Sequence, residues 1–260
     1  MQVSLIVTTY NWKEALAVVL RSIMAQTVMP CEVIIADDGS RDDTRILIEE
    51  YARNFPVPLI HSWQPDDGFR LAMSRNRAIS KVKGDYIIII DGDILIKPDF
   101  IESHRAAAKP GFFVQGGRVI MWEALSAKLK QNFEIPHFFT KGLRNRHNTL
   151  SSPVLSRIFS KVWNSDKSTR GCNIAFWKDD IDAVNGYNEA FEGWGREDSE
   201  MVIRMLNHGV QRFYLKFAGV GFHLYHKENT RASLSQNDAI LQNTIDQKLT
   251  RCELGLDQYR

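Results

Sequence analysis

The stretch Tyr86-Ile87-Ile88-Ile89-Ile90-Asp91-Gly92-Asp93 decides the fold. Its apolar residues run together without polar alternation, the pattern of a strand buried on both faces inside a parallel sheet. The run closes on two carboxylates one residue apart. Ligands of such sheets bind beyond the carboxyl ends of the strands, so Asp91 and Asp93 stand where a ligand is met. A hard divalent cation takes oxygen donors of this kind and keeps positions open for diphosphate oxygens. An isolated Asp-Gly-Asp is as readily a solvated turn; the buried strand before it favours the site.

Upstream, strand and helix alternate. Residues 3–8 are a short apolar, β-branched run, and 15–25 carry apolar residues at helical spacing. Residues 32–36 form a second run, closed by Asp37-Asp38-Gly39-Ser40, and 44–51 are amphipathic. Residues 59–63 predict a third strand and 71–81 a third helix. Ser40 occupies the position of a helix N-cap. This alternation predicts an α/β fold, a mostly parallel Rossmann-like sheet flanked by helices, followed by a smaller mixed half. Thr8-Thr9 and Asp37-Asp38 then lie at strand ends beside Asp91, and one carboxylate of the second pair can accept from the imide N–H of uracil or from ribose.

Downstream the pattern loosens. Residues 119–122 and 212–217 predict strands, and 197–207 a helix ending at Gly209 as its C′ glycine. Residues 121–170 hold nine bases against three acids, with Pro136 and Pro153, and read as a helical or mobile basic insertion. The last thirty residues read as a polar, partly helical tail.

Three further clusters bear on chemistry. Arg75-Asn76-Arg77 follows Asp67-Gly68-Phe69-Arg70 on a helix start, and an arginine fork suits a diphosphate; Arg75 and Arg77 cannot share a helix face, so one at most points into a site. In Gly193-Trp194-Gly195-Arg196-Glu197-Asp198, the glycines allow close backbone approach, the Trp offers a flat face to a sugar ring, and two acids open a helix whose N-terminus favours their ionised form. A carboxylate there can serve as general base on an acceptor hydroxyl. His223 and His226 follow a predicted strand, and one imidazole can complete a cation site with Asp93.

Across its 260 residues the chain balances 33 bases with 31 acids, a net charge of +2, which excludes a strongly basic nucleic-acid binder. Three scattered cysteines make neither a disulfide framework nor a zinc cluster. The N-terminus lacks a basic region and a cleavage site, and no apolar run reaches bilayer length. The expected location is the cytoplasm, either free or peripheral on the cytoplasmic face of the inner membrane.

Taken together, these residues resemble family 2 glycosyltransferases of the GT-A fold. Val3-Ser4-Leu5-Ile6-Val7-Thr8-Thr9-Tyr10-Asn11, Asp37-Asp38-Gly39-Ser40 and Asp91-Gly92-Asp93 look like that family's donor-binding half. The segment from Gly171-Cys172-Asn173 through Gly186-Tyr187-Asn188-Glu189 to Gly193-Trp194-Gly195-Arg196-Glu197-Asp198 is similar to the galactosyltransferase-type C-terminal region, found also in bacterial chondroitin polymerase modules and β-1,4-galactosyltransferases. The resemblance implies one GT-A domain: residues 1–115 as the nucleotide-sugar half, 116–170 as a variable basic insertion, 171–230 as the acceptor and catalytic half and 231–260 as a tail. It implies an inverting, metal-dependent transfer of a hexose (galactose, glucose, their N-acetylamino or uronic forms) from a UDP-sugar to a glycan or glycolipid, in bacterial surface polysaccharide or lipopolysaccharide synthesis.

By the same resemblance Asp38 binds uracil and Asp91 ribose, Thr8 and Tyr10 line the nucleotide pocket, Gly171 belongs to the donor-binding set, and Arg75 approaches the diphosphate. Asp93 holds Mn²⁺ (or Mg²⁺) with a histidine, His223 ahead of His226. Trp194 and Glu197 position the acceptor and Asp198 is the base. The basic insertion suggests contact with an anionic acceptor or with phospholipid head groups. A sugar nucleotidyltransferase would want a glycine-rich loop after the first strand, which Thr8-Thr9-Tyr10-Asn11-Trp12 does not offer. A non-catalytic sugar-nucleotide or glycan-binding domain would not need both Asp93 and Asp198.

Overall fold

The structure, a computed structural model, describes residues 1–227 and 233–260; the boundary expected at 230/231 lies outside the described residues. The first half runs β1 (Val3–Thr9), α1 (Lys13–Met24), β2 (Glu32–Asp37), α2 (Asp42–Ala52), β3 (Leu59–Trp63), α3 (Leu71–Ile79), β4 (Tyr86–Asp91), β5 (Ile94–Ile96), α4 (Phe100–Ala107) and β6 (Phe112–Gln115). The second half adds β7 (Arg118–Met121), α5 (Glu123–Gln131), β8 (Leu143–Arg144), α6 (Pro153–Phe159), β9 (Lys161–Val162), β10 (Asn173–Trp177), α7 (Lys178–Ala183), α8 (Glu197–Asn207), β11 (Gln211–Tyr214), β12 (Gly221–His223) and α9 (Leu234–Asp246).

Two sheets result, ordered β3-β2-β1-β4-β10-β6-β11-β9 and β5-β12-β7-β8. In the larger, β10 and β9 run against the other strands, so the sheet is mostly parallel. Isoleucines 87–90 of β4 are fully buried. The two-residue repeat of the strand divides them: Ile88 and Ile90 join Leu5 and Val7 against Leu16, Val19 and Leu20 of α1, while Ile87 and Ile89 join Ile6 against Ala78 and Ile79 of α3 and Met201 and Met205 of α8. Helices therefore cover both faces. On its other side α1 turns Ala15 and Val18 to Leu95, Val119 and Phe222 of the smaller sheet, which fixes that sheet beside the carboxyl ends of β1 and β4. Gly92 is required where these ends meet, because a Cβ there would lie 2.2 Å from the Thr8 carbonyl oxygen.

Several expectations shift. Ser40 is not an N-cap: α2 starts at Asp42 without a side-chain cap, and the Ser40 hydroxyl instead accepts the Asn11 N–H at 2.8 Å, tying the turn after β1 to the turn after β2. The strand expected at 119–122 spans Arg118–Met121, and that at 212–217 spans Gln211–Tyr214. Residues 121–170 supply β8 and β9 to the two sheets as well as α5 and α6. Gly209 does follow α8 with φ +94°. The polar tail contains α9, which buries Asn237, Leu241 and Thr244.

Candidate active site

The cleft lies at the carboxyl ends of β1, β2 and β4. At β2 the paired aspartates separate in role. Asp37, fully buried, accepts the Ser40 N–H at 2.8 Å and lies 2.8 Å from His61 Nε2, so it holds the turn. Asp38 accepts from Gln64 Nε2 at 2.7 Å and from the Arg70 N–H at 2.9 Å. Burial pushes its carboxyl up to about 6, with these two bonds working against the rise. Thr8 Oγ1 donates to Asp91 at 3.2 Å, and the exposed Tyr10 hydroxyl donates to Asp66 at 3.0 Å.

Arg75 sits at the centre. Its side chain is 1% exposed, and its guanidinium meets Asp198 at 2.7 Å, Asp91 at 3.4 Å and Glu197 at 3.4 Å, stacked 4.8 Å from the Tyr187 ring centre. Burial opposes its charge, but Asp198, Tyr187, Asp91 and Glu197 outweigh burial and keep it protonated. The arginine expected at a diphosphate is thus committed to carboxylates. Arg77 points elsewhere, over Tyr259, as the helical spacing required.

Asp198 is fixed from two sides, since its other oxygen accepts the Gly171 N–H at 2.8 Å. Gly171 is needed for this approach: a Cβ there would stand 2.2 Å from one carboxylate oxygen and 2.3 Å from the other. Gly171, expected among the donor-binding residues, is thus placed against Asp198, and any side chain there would displace that carboxylate.

Glu197 departs from one expectation. Successive helical residues diverge by about 100°, yet both acids reach Arg75, because residue 197 opens the helix directly after Arg196, whose φ is +80°. The helix N-terminus does not keep Glu197 readily ionised; burial first, and then Asp198, push its carboxyl upward. Trp194, 40% exposed, stands on the loop before it.

The loop following β3 joins the two sides of the cleft. The Arg70 backbone holds Asp38, its side chain pairs with Glu192 and with Asp67, and the Gly193 N–H donates to the Phe69 carbonyl at 3.0 Å.

Beside Asp91, Asp93 meets both histidines: its Oδ2 lies 3.5 Å from His223 Nε2 and 3.4 Å from His226 Nε2. One ligand atom from each falls within 4.8 Å of the others. His226 Nδ1 is 2.7 Å from the Lys227 carbonyl, which can only accept, so Nδ1 carries a proton and Nε2 is the nitrogen turned to Asp93. Burial, Arg118 and His226 hold His223 down at about 3, leaving it neutral. Asp93 Oδ1 is buried without a hydrogen-bond partner, and burial, with Asp91 next, drives its carboxyl well above the usual range. A deeply placed carboxylate with an unused oxygen and two convergent imidazoles fits a divalent cation. The nitrogen donors suit Mn²⁺ better than Mg²⁺, which prefers oxygen.

Sequence reasoning missed Arg118, whose charge opposes the rise of both Asp91 and Asp93, and Gln64, Tyr187 and Asp66. A single arginine opening a short strand carries no signal, and the others act only through tertiary contacts.

Residues 4–161 match glycosyl transferase family 2. The chain belongs to this family. Residues 156–227 match a second model, described as the N-terminal domain of galactosyltransferase. Among relatives of this family 2 chain, the chondroitin synthase of Escherichia coli is 26% identical over 234 residues, covering 79% of this chain and 32% of that protein. The hyaluronan synthase of Pasteurella multocida is 27% identical over 242 residues, covering 86% of this chain and 24% of that one. The chain thus spans about a quarter to a third of the length of these relatives. Of solved structures, Staphylococcus aureus TarS (residues 1–349) in complex with UDP-GlcNAc superposes with a TM-score of 0.66 at 17% identity, over 100% of this chain and 69% of that one. The mannosyltransferase PcManGT of Pyrobaculum calidifontis, in complex with GDP-Man and Mn²⁺, gives 0.62 at 18% identity, over 95% and 64%. These likenesses show the GT-A fold.

Proposed function

We propose that this chain is an inverting glycosyltransferase that moves a hexose from a UDP-sugar to a hydroxyl of a glycan or glycolipid acceptor, in the assembly of a bacterial surface polysaccharide. The observation that carries this is the single guanidinium of Arg75 bridging Asp91, on the donor side, to Asp198, on the acceptor side. This supports a reading in which the ribose carboxylate and the base share one guanidinium. The polysaccharide synthases among the relatives and the UDP-GlcNAc complex of TarS support the donor class.

In this reading Asp38 accepts the uracil imide N–H, Asp91 meets ribose, and Thr8 and Tyr10 line the pocket. Asp93, His223 and His226 would hold a cation, which when bound would supply positive charge for a diphosphate leaving group. Arg118 flanks the same carboxylates and adds charge there, while Arg75 holds Asp198 and Asp91 in place. Trp194 stacks on the acceptor sugar and Glu197 orients it. Asp198 takes the proton of the acceptor hydroxyl as its oxygen bonds to the anomeric carbon and the bond to the diphosphate breaks; one displacement inverts that carbon. Contact with an anionic membrane surface belongs to the same reading.

A donor screen tests it: nucleotide release with Mn²⁺ is expected from UDP-hexoses and not from GDP-mannose, and the reverse preference overturns the donor assignment. The pocket also has a pH signature. The ionised Asp38 carboxylate accepts more strongly than its protonated form, so uridine, which has no phosphate to titrate, should bind progressively more weakly as the pH falls below about 6. Asp38→Asn should flatten that slope, and a flat wild-type profile would remove Asp38 from the base contact.

A further inference from the structure

Helix α6 reads Pro-Val-Leu-Ser-Arg-Ile-Phe, and none of its residues is buried. Val154 is 68% exposed, Ile158 65% and Phe159 51%, with Val162 of β9 at 47%. The helix is nevertheless firmly seated by its ends. The Ser152 N–H donates to the Phe217 carbonyl at 2.9 Å, the Ser160 hydroxyl accepts the Lys216 N–H at 3.0 Å, and the Phe159 and Phe217 rings meet edge to face at 5.4 Å. Apolar side chains held outward on a secured helix mark an interaction surface.

The charge around them identifies the partner. Arg157, Lys161 and Lys216 are exposed, and residues 150–165 and 211–218 contain no acid. Of the neighbouring acids, Asp99 is hydrogen-bonded by the Ser151 hydroxyl and Asp166 acts on the buried Arg212. An apolar centre whose own exposed charges, Arg157, Lys161 and Lys216, are all basic matches an anionic bilayer, where apolar groups enter the acyl boundary and bases meet lipid phosphates.

We propose that this face docks the chain on an anionic phospholipid membrane, Val154, Ile158 and Phe159 entering the lipid and Arg157, Lys161 and Lys216 gripping head groups. The proposal refines the membrane contact named above. It draws on two of the nine bases in 121–170 and one from outside it, and it does not depend on the donor chemistry.

The full chain is sedimented with phosphatidylcholine vesicles with and without phosphatidylglycerol, and uridine binding is measured in the same samples. Each base near an anionic surface strengthens partition about fivefold, so the preference for anionic vesicles is expected on the order of 10²-fold. Val154→Ser with Ile158→Ser should lower partition about tenfold or more while uridine binding persists; both side chains are exposed, so the fold is not at stake. Arg157→Gln with Lys161→Gln and Lys216→Gln should abolish the anionic preference. The fluorescence of Ile158→Trp should shift to the blue on anionic vesicles. Indifference of the wild type to phosphatidylglycerol, or full binding by the double serine variant, overturns the proposal. So does concentration-dependent dimerisation that the double variant loses, which would assign the face to a second copy of the chain.

Discussion

Asp198→Asn is expected to lower kcat by about 10²–10⁴-fold, the span usual for a lost general base, with KM for the UDP-sugar nearly unchanged. The substitution preserves size and leaves an amide oxygen able to accept from Gly171 or to face Arg75, so donor binding on the Asp38 side is untouched. A fall in kcat without a change in donor KM marks an interaction made only in the transition state. Glu197→Gln should act instead on acceptor KM, because this carboxyl is buried against Arg75 and burial holds it toward its protonated form. Near-normal kcat in Asp198→Asn, together with an inactive Glu197→Gln, would exchange the two roles.

Removal of the cation is expected to have the largest effect. Excess chelator should abolish turnover and Mn²⁺ restore it, with Mg²⁺ restoring less because two of the three convergent donors are imidazoles. Asp93→Ala should remove metal-dependent UDP binding while uridine binding, which needs neither cation nor phosphate, survives. His223→Ala and His226→Ala should each weaken Mn²⁺ binding, read directly by the paramagnetic signal of the ion. Full turnover in chelator would refute the metal assignment, and stronger rescue by Zn²⁺ than by Mn²⁺ would change the ion.

The buried strand and the carboxylates at its end are legible because their signals are local. Residues 86–90 are apolar on both faces of one strand, and Asp91-Gly92-Asp93 follows with no intervening loop. The acceptor side was legible by likeness more than by pattern. β10 is a five-residue strand running against its neighbours, and β8 and β9 have two residues each, too few for any period to show. Roles set by distant partners were hidden for the same reason. His61 settles which of Asp37 and Asp38 is structural, from 24 residues away. Asn11 draws the Ser40 hydroxyl away from the helix it would cap. Arg75 looked like a phosphate ligand because its attraction to carboxylates 122 and 123 residues later has no trace in sequence.

The Arg70 loop carries a practical consequence for anyone recombining this chain with its relatives. Arg70 grips Asp38 with its backbone and Glu192 with its side chain, so the segments around those two acids are not interchangeable modules. A graft of residues 192–198 from a relative must bring an acid that Arg70 can hold, and a graft of the nucleotide half must bring an arginine that finds Glu192. Chimeras cut between the halves without regard to this pair would inherit both sets of ligands and lose the distance between them.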